Sequence, residues 1–203
     1  MKTYGSPVRI SADSPVSVQE LTTVITEQLK ENISSFVVMC IGTDRSTGDS
    51  LGPLAGTLLQ EMKPDFIEVY GTLHEPVHAK NIGKVCQEIE QVHPDAFVLA
   101  VDAGLGLRKN VGTIVFGEGP LFPGSALNRT LSPVGEAHLT GIVNVSGFME
   151  LSVLQNTRLS VVMSLAKILA ESLYNIDQEL SLRKKLPSCP GSNVLPFAKP
   201  QSL

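Results

Sequence analysis

Two aspartates sit where a parallel sheet would bring them together. Asp49 lies in the run Gly42-Thr43-Asp44-Arg45-Ser46-Thr47-Gly48-Asp49-Ser50-Leu51-Gly52-Pro53, and Asp102 in Val98-Leu99-Ala100-Val101-Asp102-Ala103-Gly104. Each follows an apolar run of strand length. In an open parallel sheet the loops after the strand C-termini converge on one edge, and ligands bind there. Two carboxylates far apart in the chain would then meet at one site. Held close, they separate in pKa and can work as one base and one acid; a divalent metal is the other way to hold them together. The competing structural roles are a helix N-cap for Asp49 and a strand-ending turn for Asp102.

The remaining polar residues supply supporting candidates. His74 and His78 are four apart in Gly71-Thr72-Leu73-His74-Glu75-Pro76-Val77-His78. On a helix that spacing would suit a metal pair, but Pro76 interrupts the helix, which leaves substrate binding as their candidate role. His138 follows a loop rich in Gly, Pro and Ser and is a candidate third ligand, beside Asp49 and Asp102, or a proton carrier. Asn144, Gln155, Asn156 and Arg158 surround the start of the last predicted helix, where they can bind a peptide backbone or cap that helix. The glycines at 42, 48 and 52 have the wrong spacing for a dinucleotide fingerprint, and no P-loop lysine follows them. No GxSxG elbow is present, which speaks against a serine hydrolase.

Positioning these groups requires a sheet, and the chain supplies one. Phe36–Ile41 is a continuous apolar run that reads as a buried parallel strand. A helix is expected from Asp49 to about Met62, with Pro53 in its first turn, where a missing N–H is harmless. Further strands are expected at Phe66–Tyr70, Ala96–Val101, Val111–Phe116 and Leu139–Val145. Helices are expected from Ser17, with Glu20 as a capping-box partner, over Ala79–Val92, and from Gly147 to about Leu173. Helices alternating with apolar strands imply right-handed crossovers and a three-layer α/β/α sandwich around a mostly parallel sheet. The expected organisation is a flexible leader (1–14), a single α/β domain (15–178), and a helix end with a proline-rich flexible tail (179–203).

Composition narrows the function class. With 203 residues, 42 % of them hydrophobic, the chain can bury a sizeable core. A net charge of −4 and the lack of any long basic cluster make nucleic acid an unexpected partner. The three cysteines form no CxxC pair and suit a reducing compartment. No signal peptide or apolar run of membrane-spanning length is read, so the expected location is the cytoplasm, with no membrane partner.

Several segments together resemble a known family. Thr47–Pro53, Tyr70–Asn81, Val101-Asp102-Ala103 and Thr140–Glu150, with Leu154-Gln155-Asn156-Thr157-Arg158-Leu159, look like the YyaC-type sporulation proteins of spore-forming bacteria. The resemblance covers roughly residues 15–175. At a greater distance the pattern is similar to the germination protease and to the hydrogenase maturation endopeptidases, which share a phosphorylase/hydrolase-like fold. The resemblance implies that Asp49, at a helix start followed by Leu-Gly-Pro, and Asp102, followed by Ala, take part in peptide cleavage. In the maturation endopeptidases a histidine after a Ser-Pro loop completes a metal site. Here Leu131-Ser132-Pro133 is followed by His138 at an offset. The implied function is a sporulation-associated peptidase acting on a peptide or protein substrate of the spore; the alternative is a non-catalytic protein that binds such a partner through the same cleft.

Overall fold

An apolar segment covered on both faces needs no alternation, and Phe36-Val37-Val38-Met39-Cys40 is buried at every position. It is the second strand of a six-stranded sheet in the computed structural model, which describes residues 4–29, 33–123 and 132–185. In chain order the elements are β1 (Val8–Ser11), α1 (Ser17–Gln28), β2 (Phe36–Cys40), α2 (Leu51–Glu61), β3 (Ile67–Tyr70), α3 (Ile82–Val92), β4 (Phe97–Gly106), β5 (Thr113–Glu118), β6 (Ala137–Val145), α4 (Glu150–Gln155) and α5 (Leu159–Lys185). The strand order is β1-β5-β6-β4-β2-β3. β3, β2, β4 and β6 run parallel, and β5 lies antiparallel to both β6 and β1.

The layers follow from which residues are apolar. Leu21 and Ile25 of α1, Leu51, Ala55 and Leu59 of α2, and Val162, Leu165, Leu169, Leu173 and Ile176 of α5 close over one face of the sheet. Ile82 and Ile89 of α3 pack with Val37, Met39 and Ala100 on the other. The chain leaves β2 through α2 to reach β3 on one side, then returns through α3 to β4 on the opposite side. The direction of winding therefore reverses between β2 and β4, and a crevice opens beyond their C-terminal ends.

Five local expectations change. Residues 8–11, inside the expected leader, form edge strand β1, with Ile10 buried against the core; four residues are too few to display an alternation. Asp102 lies within β4 rather than after it, because β4 continues beside β6 to Gly106 past the end of β2. The small residues Ala103-Gly104 that resembled a turn are extended strand. The expected helix from Gly147 is two helices, broken at Asn156-Thr157-Arg158, and the second runs on to Lys185. The Ser17–Glu20 capping box does not form; Ser17 is the first helical residue and is itself buried. Finally, α5 is long and apolar enough, at a mean hydropathy of 1.3, to cross a bilayer by length and composition; its apolar positions are packed in the core. Residues 186–203 of the expected tail, and 124–131 of the long loop, lie outside the described residues.

Candidate active site

The loop after β2 is shaped by backbone crowding. Gly42, at φ +148°, passes so close to the following turn that a Cβ would stand 2.0 Å from the Asp49 carbonyl oxygen, and a Cβ on Gly52 would stand 2.1 Å from that of Ile41. Only glycine permits both approaches, and these contacts, rather than a phosphate, explain the glycine spacing here. The Thr43 N–H donates to the Asp49 carbonyl at 3.0 Å. A one-turn 3-10 segment, Gly48–Ser50, is thereby held against the end of β2 and leads into α2.

Asp49 sits inside that turn and is not a cap: neither the 3-10 segment nor α2 has a side-chain capping bond. Its carboxylate is instead one wall of a cleft of about 590 Å³ at the C-terminal edge of the sheet. Asp102 is another wall, reached along β4, where it pairs with Thr140 of β6. The cleft wraps over the end of β2, with Thr43 and His78 beside the acids and Leu105, Leu121, Phe122 and Leu154 as apolar lining.

Both carboxyls are hard to ionise. Burial pushes Asp102 up to about 7; the Ala103 N–H, donating to Oδ1 at 2.8 Å, lowers it and the charge of Asp49 raises it further. The residue keeps partial exposure through the cleft mouth, so the site is accessible although protein surrounds most of the carboxyl. Burial also raises Asp49, with the Ser46 hydroxyl opposing. That hydroxyl is buried without a partner at hydrogen-bond geometry, so it acts on Asp49 as an oriented dipole more than as a bond. The charge of Asp49 thus reaches Asp102, which places the two acids close together in the cleft.

Of the expected site residues, Asp49, Asp102 and His78 come together. His78 borders the cleft while its Nδ1 accepts the Lys80 N–H at 3.3 Å. His74 is exposed and lines no part of the cleft. Asn144 and Asn156 are also outside it. Asn144 Nδ2 donates to the Val153 carbonyl and to Thr157 Oγ1, tying β6 to the end of α4, and Asn156 Nδ2 donates back to Ser152. These asparagines hold the helical break. His138, on β6, is engaged through Nδ1 with the Gly119 carbonyl at 3.0 Å and is not a cleft residue. Among the described residues no three His, Cys, Asp or Glu side chains are grouped to hold a metal. His78 and Glu150 border the cleft but are not grouped with the two aspartates as a third ligand, and His138 lies outside it, so the residues present do not fit a resident metal held by Asp49, Asp102 and His138.

Thr43, Thr140 and Glu150 also border the cleft. Their signal in the sequence was indirect: Thr140 and Glu150 bound one of the segments that carry the family resemblance, but nothing local marks them as functional. Cys40 is a core residue whose thiol burial pushes up to about 12, which leaves it unreactive.

The molecule is thus an α/β sandwich with a switch-point cleft flanked by two acids. The structure is similar to a [NiFe] hydrogenase maturation protease, HycI, from Thermococcus kodakarensis KOD1, with a TM-score of 0.52 and 17 % identity, over 76 % of this chain and 99 % of that one. At that identity the likeness establishes the fold. Residues 9–172 match the family described as "Protein of unknown function (DUF1256)", and the chain belongs to that family. It is 48 % identical to the "Uncharacterized protein YyaC" of Bacillus subtilis (strain 168) over 170 residues, 83 % of each chain.

Proposed function

We propose that this chain is a cytoplasmic peptidase of limited specificity, acting in sporulation or germination on a peptide or protein of the spore. The observation that carries the reading is the meeting of Asp49 and Asp102 in one accessible cleft, each half-buried and poorly supplied with donors among the described residues. The fold shared with a maturation protease supports a hydrolytic role, and the sporulation setting rests on the sequence resemblance. In the reactive state one member is ionised and the other protonated. The ionised member takes a proton from water as that water attacks the substrate carbonyl. The protonated member donates to the leaving amine as the C–N bond breaks, and the pair, still holding one proton with the roles exchanged, returns to its starting state when that proton moves from the base back to the acid. Asp102, with a pKa near 7, is suited to be the acid, and Asp49, nearer the dipole of α2, to be the base.

The test is to incubate the purified protein with spore extract and identify cleaved proteins by mass spectrometry. Cleavage that is lost in Asp49→Asn and Asp102→Asn and persists with chelator supports the two-acid peptidase. If the wild type cleaves nothing, a non-catalytic role replaces it.

A further inference from the structure

The backbone of β4 carries a second element of this site. β4 lies between β2 and β6, and its residues alternate in which neighbour they bond. Val98 and Gly106 accept from Glu136 and Ser146 on the β6 side, while Val101 accepts from Ile41 on the β2 side. The odd-numbered residues therefore aim their N–H and C=O at β2. β2 stops at Cys40, opposite Val101, while β4 continues for five more residues. Ala103 and Leu105 thus present their backbone groups to a lane in line with β2 that no strand occupies among the described residues. Among the described residues no backbone group bonds the Ala103 carbonyl or the Leu105 N–H and carbonyl from that lane. The Ala103 N–H has turned to the neighbouring side chain and donates to Asp102. Both residues line the cleft.

An open strand edge of this kind is a template for another strand. We propose that the substrate is captured by strand addition: an extended segment of a protein pairs with Ala103–Leu105 and continues the line of β2 between β4 and the Asp49 turn. This deepens the peptidase reading and rests on it, since it makes the captured strand the substrate. The chemistry of the lane defines the segment. Its floor is Ala103 and Gly104, so the segment lies close to the backbone. Leu105 and Phe122 line the cleft and offer apolar contact. Asp49, Asp102 and Glu150 favour a neutral or basic segment over an acidic one. The first hydrogen bond of the added strand replaces Asp102 on the Ala103 N–H, which places a substrate carbonyl beside the acid and frees Oδ1 for catalysis. Folded loops cannot pair in this way, so the specificity is for unfolded or strand-donating segments.

The test uses the full-length protein and synthetic dodecapeptides in which valine alternates with lysine or serine. Two further sets carry N-methyl groups at every second amide, one in each phase. Binding is followed by isothermal titration and by the amide resonances of Ala103 to Gly106. Strand addition requires that the unmodified set bind and shift those resonances. It also requires that methylation in one phase weaken binding about tenfold, through loss of two or so hydrogen bonds, and that methylation in the other phase leave it largely intact. Equal effects of the two phases, absence of binding by the unmodified set, or shifts confined to the rest of the protein would each overturn it. Leu105→Pro removes the edge N–H together with the Leu105 side chain, and Leu105→Ala is the control that removes the side chain alone; the proline variant should bind about tenfold more weakly than the alanine variant, and equal binding by the two folded variants overturns the proposal. These readouts involve no cleavage. Phase-dependent binding without any cleaved spore protein would leave strand capture standing and remove the peptidase reading; cleavage with phase-independent binding would do the reverse.

Discussion

Two buried aspartates mark opposite ends of the sheet, and their surroundings differ in one respect. Asp177, on α5, is fully buried beside the start of β3. Its carboxylate accepts the backbone N–H groups of Asp65, Phe66 and Ile67 at 2.8 to 3.0 Å, with Gln178 adding a side-chain bond at 3.2 Å. Asp102, beside the end of β2, has a single donor, its neighbour Ala103, and a second acid close enough to raise its pKa. Burial of a charge is costly unless donors compensate it. At Asp177 the donors do so, and the carboxylate ties α5 to β3. At Asp102 the compensation is withheld. A carboxyl left short of donors in an accessible cleft is poised to exchange a proton, and such groups concentrate at functional sites, where stability is given up for chemistry.

The largest expected effect is on activity. Asp102→Asn keeps the shape of the side chain and removes the titrating group, so cleavage of any confirmed spore substrate should fall by about 10²–10⁴-fold, measured as initial rate on that substrate. Undiminished cleavage would reduce Asp102 to the kind of role Asp177 has. Next in size is the stability of the opposite end. Asp177→Ala removes the acceptor of the Asp65, Phe66 and Ile67 N–H groups, of which that of Ile67 is buried, and should cost about 1–3 kcal/mol by urea unfolding. A loss under 1 kcal/mol would show that the carboxylate is not what ties α5 to β3.

The comparison also separates what the sequence reveals from what it hides. The strand β2 was legible because a continuous apolar run has few other readings, and β3 and β6 because short stretches rich in β-branched and aromatic residues end at glycine or serine; with the core strands in place, the meeting of Asp49 with Asp102 followed. Asp177 was not: it lies in the middle of an amphipathic helical pattern, and its partners are backbone groups more than a hundred residues away. The same holds for His138, whose neighbour in sequence is a loop but whose neighbours in space are strands β4 and β5. Chain order placed it with the acids; sheet register placed its ring on the Gly119 carbonyl. β4 was cut short at Val101 because Ala-Gly reads locally as a turn, whereas pairing with β6 keeps it extended.

A third effect ties stability to pH. The folded-state pKa of Asp102 lies above its ordinary value, so between about pH 4 and about 7 the folded protein holds a proton that the unfolded chain has released. Stability contributed by that proton is present at low pH and is lost as the pH rises through about 7. Partial exposure to cleft water keeps the loss below the full linkage value, at about 1–3 kcal/mol. Asp102→Asn removes the penalty. The variant should therefore melt higher than wild type at pH 8, with the gain shrinking toward pH 5. Equal melting curves at both pH values would mean that Asp102 ionises as freely as a surface carboxylate.

The smallest effect concerns Asp49 and decides between its two roles. A carboxylate that caps a helix contributes about 0.5–2 kcal/mol, which its replacement forfeits. Asp49 makes no capping bond, and burial raises its pKa rather than rewarding its charge. Asp49→Asn should then change stability by no more than about 0.5 kcal/mol at pH 7, while lowering cleavage as severely as the change at Asp102. Because the charge of Asp49 makes Asp102 harder to ionise, the same variant should also shift the Asp102 titration downward, read from the side-chain carbon resonance of Asp102 across pH 5 to 9. A stability loss of a full cap, with the Asp102 titration unmoved, would return Asp49 to the structural role and leave the cleft with one working acid.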